Sequence, residues 1–353
     1  MTATRSDLRP GISGWLYERL GLKGIGYPVP AHANSLPYVL GGISVTGFAI
    51  LLITGIYLAQ FYHPEPADAH QSMIYLITGV PAGDLVRSVH FWTAQIVTVT
   101  VILHMLRVLF TGSYKRPREI NWLVGLGLLA VTLGFVFTGS VLKFDQEGIE
   151  ALQHNKEAAE IIGRLGAWFS PEFSRSVPLL MRLFNAHITI LPLLFILLIA
   201  AHIFLIKQHG ISPKVTPDAT TRATAGEGKS RFSVHVLRMS GYGLLLLALA
   251  SLLSLFYPAP LGMPGVAGAE VTKPWWMFIW LFPVEEIWGV RALVIVPALL
   301  GLLLALVPIM DRSPYLSPAQ RKGILILAAV ILISIMVAGI YATLTPVEAH
   351  LEA

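Results

Sequence analysis

Apolar residues in this chain gather into long unbroken runs rather than the alternating pattern of strands or the one-sided stripe of surface helices. Seven runs, at 37–62, 87–110, 121–142, 181–207, 234–257, 288–309 and 323–344, each reach the roughly 20 residues a helix needs to cross a bilayer. Backbone polar groups in hydrocarbon must be paired within the segment, and period-two alternation is absent, so helices rather than a barrel are expected. The pattern predicts an all-α integral membrane fold, with a four-helix bundle followed by three further transmembrane helices.

The polar stretches between the runs organise the chain. Residues 210–233, rich in Thr, Ala, Gly and Lys, separate four runs from three and divide the chain into modules at 1–210 and 234–353 joined by a flexible connector at 211–233. Residues 145–176 are charged yet carry Ile149, Leu152, Ile161, Ile162, Leu165, Trp168 and Phe169, which predicts short amphipathic helices lying on the membrane. The loop 258–284 is rich in Pro, Gly and Trp and suits an ordered interfacial structure. Residues 1–23 carry charges throughout and lack an apolar core, so no removable signal peptide is expected there.

Composition sharpens this reading. Of 353 residues, 55% are hydrophobic and 13% charged, too apolar for a domain wetted on all sides. The absence of cysteine excludes disulfides, Cys-ligated iron-sulfur clusters and thioether-attached haem, leaving His, Met or carboxylates to hold any metal. The net charge of +5 reports membrane orientation and not nucleic-acid binding, because it divides by topology. The face with the N-terminus carries 17 Lys/Arg against 6 Asp/Glu, and the opposite face 8 against 14. The positive-inside rule therefore places the N-terminus, Lys115-Arg116-Pro117-Arg118 and residues 207–238 in the cytoplasm of a multi-pass cell-membrane protein. That face is the negative side of the membrane.

Of eleven histidines, His90, His104, His187 and His202 lie well inside apolar runs. His90 and His104 are 14 residues apart, a rise of about 21 Å with a net rotation of roughly 40°. His187 and His202 are 15 apart, about 22 Å and roughly 60°. Both runs cross in the same direction, so His90 and His187 share one depth and His104 and His202 another. A single buried histidine is readily explained by packing, but four at two matched depths are explained by two bis-histidine haems. With both axial positions filled, such haems carry electrons rather than activate oxygen. Gly41 and Gly55 in the first run, and Gly125 and Gly139 in the third, repeat the 14-residue interval and would leave room for a macrocycle. Arg87 and Arg182 on the positive side, and Arg107 and Lys207 on the negative side, flank the histidines. They are candidates for binding haem propionates, or are snorkelling cations at helix ends.

These residues resemble cytochrome b of the bc-type complexes, particularly the short plastid and cyanobacterial form with its separate subunit four. The resemblance is carried by Gly41-Gly42 with Thr54-Gly55, Arg87-Ser88-Val89-His90, the stretch 111–119, Thr138-Gly139, and Arg182 to His187 followed by His202 and Gly210-Ile211-Ser212. The last three runs look like subunit four fused behind the haem module. The resemblance implies quinol oxidation on the positive side, quinone reduction on the negative side and a core dimer, and the expected partners are other redox subunits: a Rieske protein and/or a cytochrome c or multihaem subunit, or another oxidoreductase module. Three positions depart from the family. Val39 stands where the plastid form attaches an extra haem, so no covalent haem is expected. Leu142-Lys143-Phe144-Asp145-Gln146 replaces Leu-Pro-Trp-Asp-Gln. Pro274-Trp275-Trp276-Met277 replaces Pro-Glu-Trp-Tyr, and a Trp cannot accept the quinol proton assigned to that Glu.

Two other classes fit parts of the pattern. A di-haem membrane anchor of a dehydrogenase or reductase would leave the last three runs unexplained, and a transporter using His as proton relays would need broken helices in paired halves. Within the cytochrome b reading, a negative-side quinone site is expected near His104 and His202, with Lys207, His209 and Arg107 beside it. The positive-side quinol pocket is expected between the end of the third span, the 145–176 segment and residues 273–288. Trp275 occupies the aligned position there, and Glu285 or Glu286 are the nearest replacement bases, about three turns onward if that segment is helical.

Overall fold

The computed structural model describes residue 19 and residues 27–216, 228–269 and 271–347. The signal-peptide reading of residues 1–23, and residues 217–227 of the connector, lie outside this described part. Seven helices among the described residues are long and apolar enough to span a membrane. The spans are α1 (Leu36–Leu58), α3 (Gly83–Phe110), α4 (Glu119–Val141), the pair α6 (Leu179–Asn185) and α7 (Leu191–His209), then α8 (Phe232–Phe256), α10 (Arg291–Met310) and α11 (Lys322–Leu344). Three short helices lie outside the spans on the far face, opposite the near face where α1 begins. They are α2 (Ala69–Thr78), α5 (Gln146–Ile162) and α9 (Phe282–Trp288).

The spans pack in an order that builds a shaft. α3 lies against α1 and α8, and α4 lies against α7. Where α1 meets α8 the backbones approach closely, since a Cβ on Gly42 would strike Met239 and one on Gly243 would strike Thr46. Of three apolar clusters, two tie the halves together. Leu246 of α8 packs with Val39, Ile43 and Val97, and Val307 of α10 packs with Leu109, Tyr114 and Trp122. The third, Tyr62, Leu142, Leu152, Leu179 and Leu183 among others, seats α5 on the far ends of α4 and α6. Large apolar side chains such as Leu197, Leu244 and Ile333 face outward, as lipid-facing positions should.

Helix α6 does not run straight into α7. Residues Ala186–Ile190 form a π turn that contains His187. Its cause is Pro192 at the start of α7, which has no N–H to give and whose ring collides with the carbonyl four residues earlier. A π turn takes up one residue more than an α turn. The 15-residue interval from His187 to His202 thereby becomes equivalent to the 14-residue interval on α3, and the two ladders match more closely than uniform helices would allow.

Two expectations are revised. The connector is not free at its described ends: Lys229–Arg231 (β2) pairs antiparallel with Pro28–Pro30 (β1), and Tyr27 stacks on Phe232 at 4.6 Å. At its other end Ser212 Oγ lies 2.6 Å from Ser113 Oγ, and Arg118 donates to the carbonyls of His209 and Gly210. The sixth span starts at Arg291 rather than 288, because Gly289 with φ +68° breaks the chain after Trp288. Residues 275–288 are accordingly a turn, a 3-10 turn (Ile279–Leu281) and α9, not one helix connecting Trp275 to Glu285.

Candidate redox site

The four intramembrane histidines meet in two pairs. His90 and His187 have ring centroids 6.4 Å apart, and His104 and His202 6.5 Å apart. Two imidazoles on opposite sides of one metal, at about 2.0 Å per metal–nitrogen bond plus about 1.2 Å from nitrogen to ring centre, stand about 6.4 Å apart. Each ring has a glycine against it. A Cβ on Gly55 would lie 3.3 Å from His90 Cε1, on Gly139 3.3 Å from His187, on Gly41 3.0 Å from His104 and on Gly125 3.6 Å from His202. All four glycines singled out by spacing therefore sit at the rings, and the backbone there leaves the depth a flat macrocycle requires. Among the described residues no group of three or more His, Cys, Asp or Glu could hold a bare metal ion. Two imidazoles per level suit a metal that brings its own equatorial ligands.

The far-face pair is oriented by threonines that the spacing argument did not weigh. Thr54 Oγ1 lies 2.8 Å from His90 Nδ1 and 2.8 Å from Ile50 O, and Thr138 Oγ1 lies 2.8 Å from His187 Nδ1 and 2.7 Å from Gly134 O. A hydroxyl has one proton and the helix carbonyl can only accept it, so each threonine accepts from an imidazole Nδ1–H. That sets the tautomer and turns the Nε2 lone pair toward the partner ring. The Thr-Gly dipeptide occurs twice at this level, so the signal was in the sequence. At the near-face level Leu40 and Val124 precede the glycines, and His104 Nδ1 has no partner.

The flanking cations are held by backbone. Arg87 donates to Ala259 O at 2.7 Å and Pro260 O at 2.6 Å, and Arg182 donates to Trp168 O and, at 2.7 Å, to Ser170 O. Both guanidiniums staple far-face loops to the helices that carry His90 and His187. Arg107 lies over the Tyr38 ring and donates to Pro37 O and Ser113 Oγ, whereas Lys207 is exposed.

On the far face the Trp-rich loop returns to α3. Trp275 and Trp276 both donate through Nε1 to Gln95 Oε1, at 2.8 and 2.7 Å, and Trp275 packs edge-on against Phe91. Phe278 meets Phe137 near the end of α4 at 6.4 Å. The buried Glu150 of α5 accepts from the backbone N–H of Val271 and Thr272 and from Gln146. Glu285 is carried to His154 of α5, Nε2 to Oε1 3.1 Å, with Glu286 next to it on α9. Trp275 and Glu285 thus belong to one wall but face different helices. Gln95, Glu150 and His154 were missed, since nothing local marks partners more than 120 residues away in the chain.

The near face holds a buried ion network, also missed. Asp311 accepts from Lys115 Nζ at 2.7 Å, from Tyr114 and from Arg321 Nη1 at 3.3 Å. Burial alone would raise the Asp311 pKa, but hydrogen bonds from Lys115 and Tyr114, the Lys115 charge and Arg321 outweigh it and hold the carboxyl below its ordinary range.

Fold and site together define an integral membrane protein of seven apolar spans whose first four enclose two stacked histidine pairs. The family described as cytochrome b (N-terminal)/b6/petB matches residues 95–264. The cytochrome b subunit of the bc complex of Chlorobaculum thiosulfatiphilum is 31% identical over 96% of this chain and 82% of its own length. Cytochrome b6 of Heliobacterium mobile is 38% identical over 56% of this chain and 98% of its own. A solved hyperthermophilic respiratory Complex III superposes with TM-score 0.78 at 26% identity, over 95% of this chain and 92% of that one. The chain belongs to the cytochrome b family of bc-type complexes. Membership of that family implies haem b binding, interaction with quinone and assembly with other redox subunits in a membrane.

Proposed function

We propose that the chain carries electrons across the membrane on two non-covalent b haems, one held by His90 and His187 and the other by His104 and His202, between quinone sites on opposite faces. The observation that carries this reading is the coincidence, at both depths, of two imidazoles at the spacing of a six-coordinate metal with a glycine against each ring. Bound there, haem iron supplies reversible one-electron transfer. The histidines provide the axial nitrogens, Thr54 and Thr138 hold two of them in one tautomer, and the apolar spans exclude water.

Arg87, Arg107, Arg182 and Lys207 supply positive charge at the two ends of the shaft for the propionates. Residues 1–210 form the haem module, 211–233 the connector and 234–353 a module like subunit four. The charge division between faces puts the N-terminus in the cytoplasm. Quinol is oxidised on the far face, between the end of α4, α5 and residues 273–288, and quinone is reduced on the near face beside His104, His202, Lys207, His209 and Arg107. Trp275 lines the quinol pocket, and Glu285 or Glu286 takes over the proton acceptance that its indole cannot perform. The acceptor of the quinol electrons is an iron-sulfur, cytochrome c or multihaem partner subunit, and two copies of the chain form the core of the complex.

Pyridine haemochrome analysis of the purified chain tests the central assignment. Two b haems per chain are expected, with one lost in His104→Ala. A content of one haem in the wild type, or two in His104→Ala, overturns it.

A further inference from the structure

With Trp275 and Trp276 both committed to Gln95, the far-face pocket needs its proton acceptor elsewhere. Two helices that wall this region, α5 and α9, meet at one imidazole–carboxylate contact, His154 Nε2 to Glu285 Oε1 at 3.1 Å. The other ring nitrogen, Nδ1, lies 2.8 Å from the carbonyl of Glu150. A carbonyl only accepts, so Nδ1 carries a hydrogen. Nε2 then faces a carboxylate oxygen at hydrogen-bond distance, which is repulsive between two lone pairs and attractive only with a proton between them. This arrangement is the proton-loaded state of the pair. Once that proton is lost, a neutral imidazole and a carboxylate no longer hold together, and each regains an acceptor.

Open space lies one turn beyond the pair on both helices. Beside the pair a crevice of about 820 Å³, open to the far face, is walled by Glu157, Glu160, Trp288 and Arg291, among others. Glu157 follows His154 by three residues on α5, and Trp288 follows Glu285 by three on α9, so pair and crevice share the same helix faces. Of the other charged groups around α5, Glu150 is engaged with Val271 and Thr272 and Lys143 with Asp145 and Glu147, while Lys156 follows His154 by two residues on α5 and Arg164 lies on the 3-10 turn Gly163–Leu165 packed against it. Glu286 adjoins Glu285 on α9, and the 3-10 turn Ala167–Phe169 that packs on α5 brings no charge.

We propose that His154 and Glu285 together form the proton-accepting pair of the far-face quinol pocket and discharge through this crevice, an inference that rests on the assignment of quinol oxidation to that face. Quinol becomes quinone by losing two protons and two electrons. Each hydroxyl O–H bond breaks with its proton passing to the unloaded pair, then to crevice water before the next arrives. The electrons leave singly to one-electron acceptors, ferric haem iron and an iron-sulfur or cytochrome carrier of a partner subunit.

The test uses the complex in its native membranes, with decylubiquinol and menadiol as reductants and His154→Gln, Glu285→Gln and Glu285→Asp as variants. Haem content and haem oxidation by added quinone are read alongside quinol-driven haem reduction from about pH 5 to pH 8. The wild-type rate should rise with pH as the pair unloads. Both Gln variants should keep their haems and their oxidation by quinone, yet reduce by quinol about 10²-fold more slowly and without that rise, while Glu285→Asp restores it in part. Wild-type rates and pH profile in both Gln variants overturn the pair and leave the two-haem assignment standing. A wild type whose haems neither quinol reduces overturns the site assignment and the pair with it.

Discussion

At the residue scale the site depends on small side chains doing separate jobs at adjacent positions. In Thr54-Gly55 and Thr138-Gly139 the hydroxyl orients a histidine on another helix while the next residue leaves space beside that same ring. Thr54→Val keeps the shape and removes the acceptor, so the His90 Nδ1–H is left unpaired in an apolar shaft. Partners of this kind are worth about 10- to 100-fold in metal affinity, and by taking the Nδ1 proton's hydrogen bond they make the ligating nitrogen more basic and favour the ferric state. Thr54→Val and Thr138→Val should therefore each raise the midpoint potential of the haem held by His90 and His187 and leave the other unmoved. Redox titration monitored in the haem absorption bands separates the two. Equal shifts in both haems, or none, would refute the role.

At the element scale the decisive feature is register. Pro192 induces the π turn at Ala186–Ile190, and that turn absorbs the one-residue difference between the two histidine intervals. The consequence is that the proposed haem sites allow no change in length between His187 and His202. One alanine inserted after Leu198 rotates His202 by about 100° away from His104 and leaves His187 opposite His90. The expected product is a folded chain whose haem content falls from two to one, with the retained haem showing the spectrum of the His90 and His187 site. Retention of both would mean that the shaft adjusts its helix rotations freely.

At the scale of the whole molecule the two halves are joined by more than lipid exclusion. Lys115 and Tyr114, between α3 and α4, meet Asp311 and Arg321, between α10 and α11, with side chains of Lys115, Asp311 and Arg321 at 5%, 5% and 0% exposure. Removing one partner of a buried network strands the others, at a cost of about 3–5 kcal/mol, so Asp311→Ala should lower the thermal midpoint for loss of the haem spectrum in detergent. Because the folded Asp311 pKa lies below the unfolded one, its contribution is complete above the ordinary carboxylate pKa of about 3.9 and fades as pH falls toward the folded value. The destabilisation by Asp311→Ala should accordingly shrink on acidification, and a difference constant with pH would place the stabilising interaction elsewhere.

Much of this protein is legible in the order of its residues, because the properties concerned are local and periodic. Twenty apolar residues in a row can only be a span, and a helix rising a set distance and turning a set angle per residue places His90, His104, His187 and His202 at two depths and their four glycines in step with them. The revisions come where periodicity ends. The π turn follows from a proline acting on a carbonyl of the preceding turn, and Gly289 divides a span that composition alone continues through Trp288. The meetings of Trp275 and Trp276 with Gln95, of Glu285 with His154 and of Asp311 with Lys115 join residues roughly 130 to 200 positions apart. No spacing rule reaches that far, since which loop side chain finds which helix depends on how whole helices cross and pack. The sequence by itself determined the spans, the paired histidines and the room beside them. Only the tertiary structure decided which polar groups close each end of the shaft, because that choice is made by the burial and hydrogen bonding of groups distant in the chain and not by any local preference.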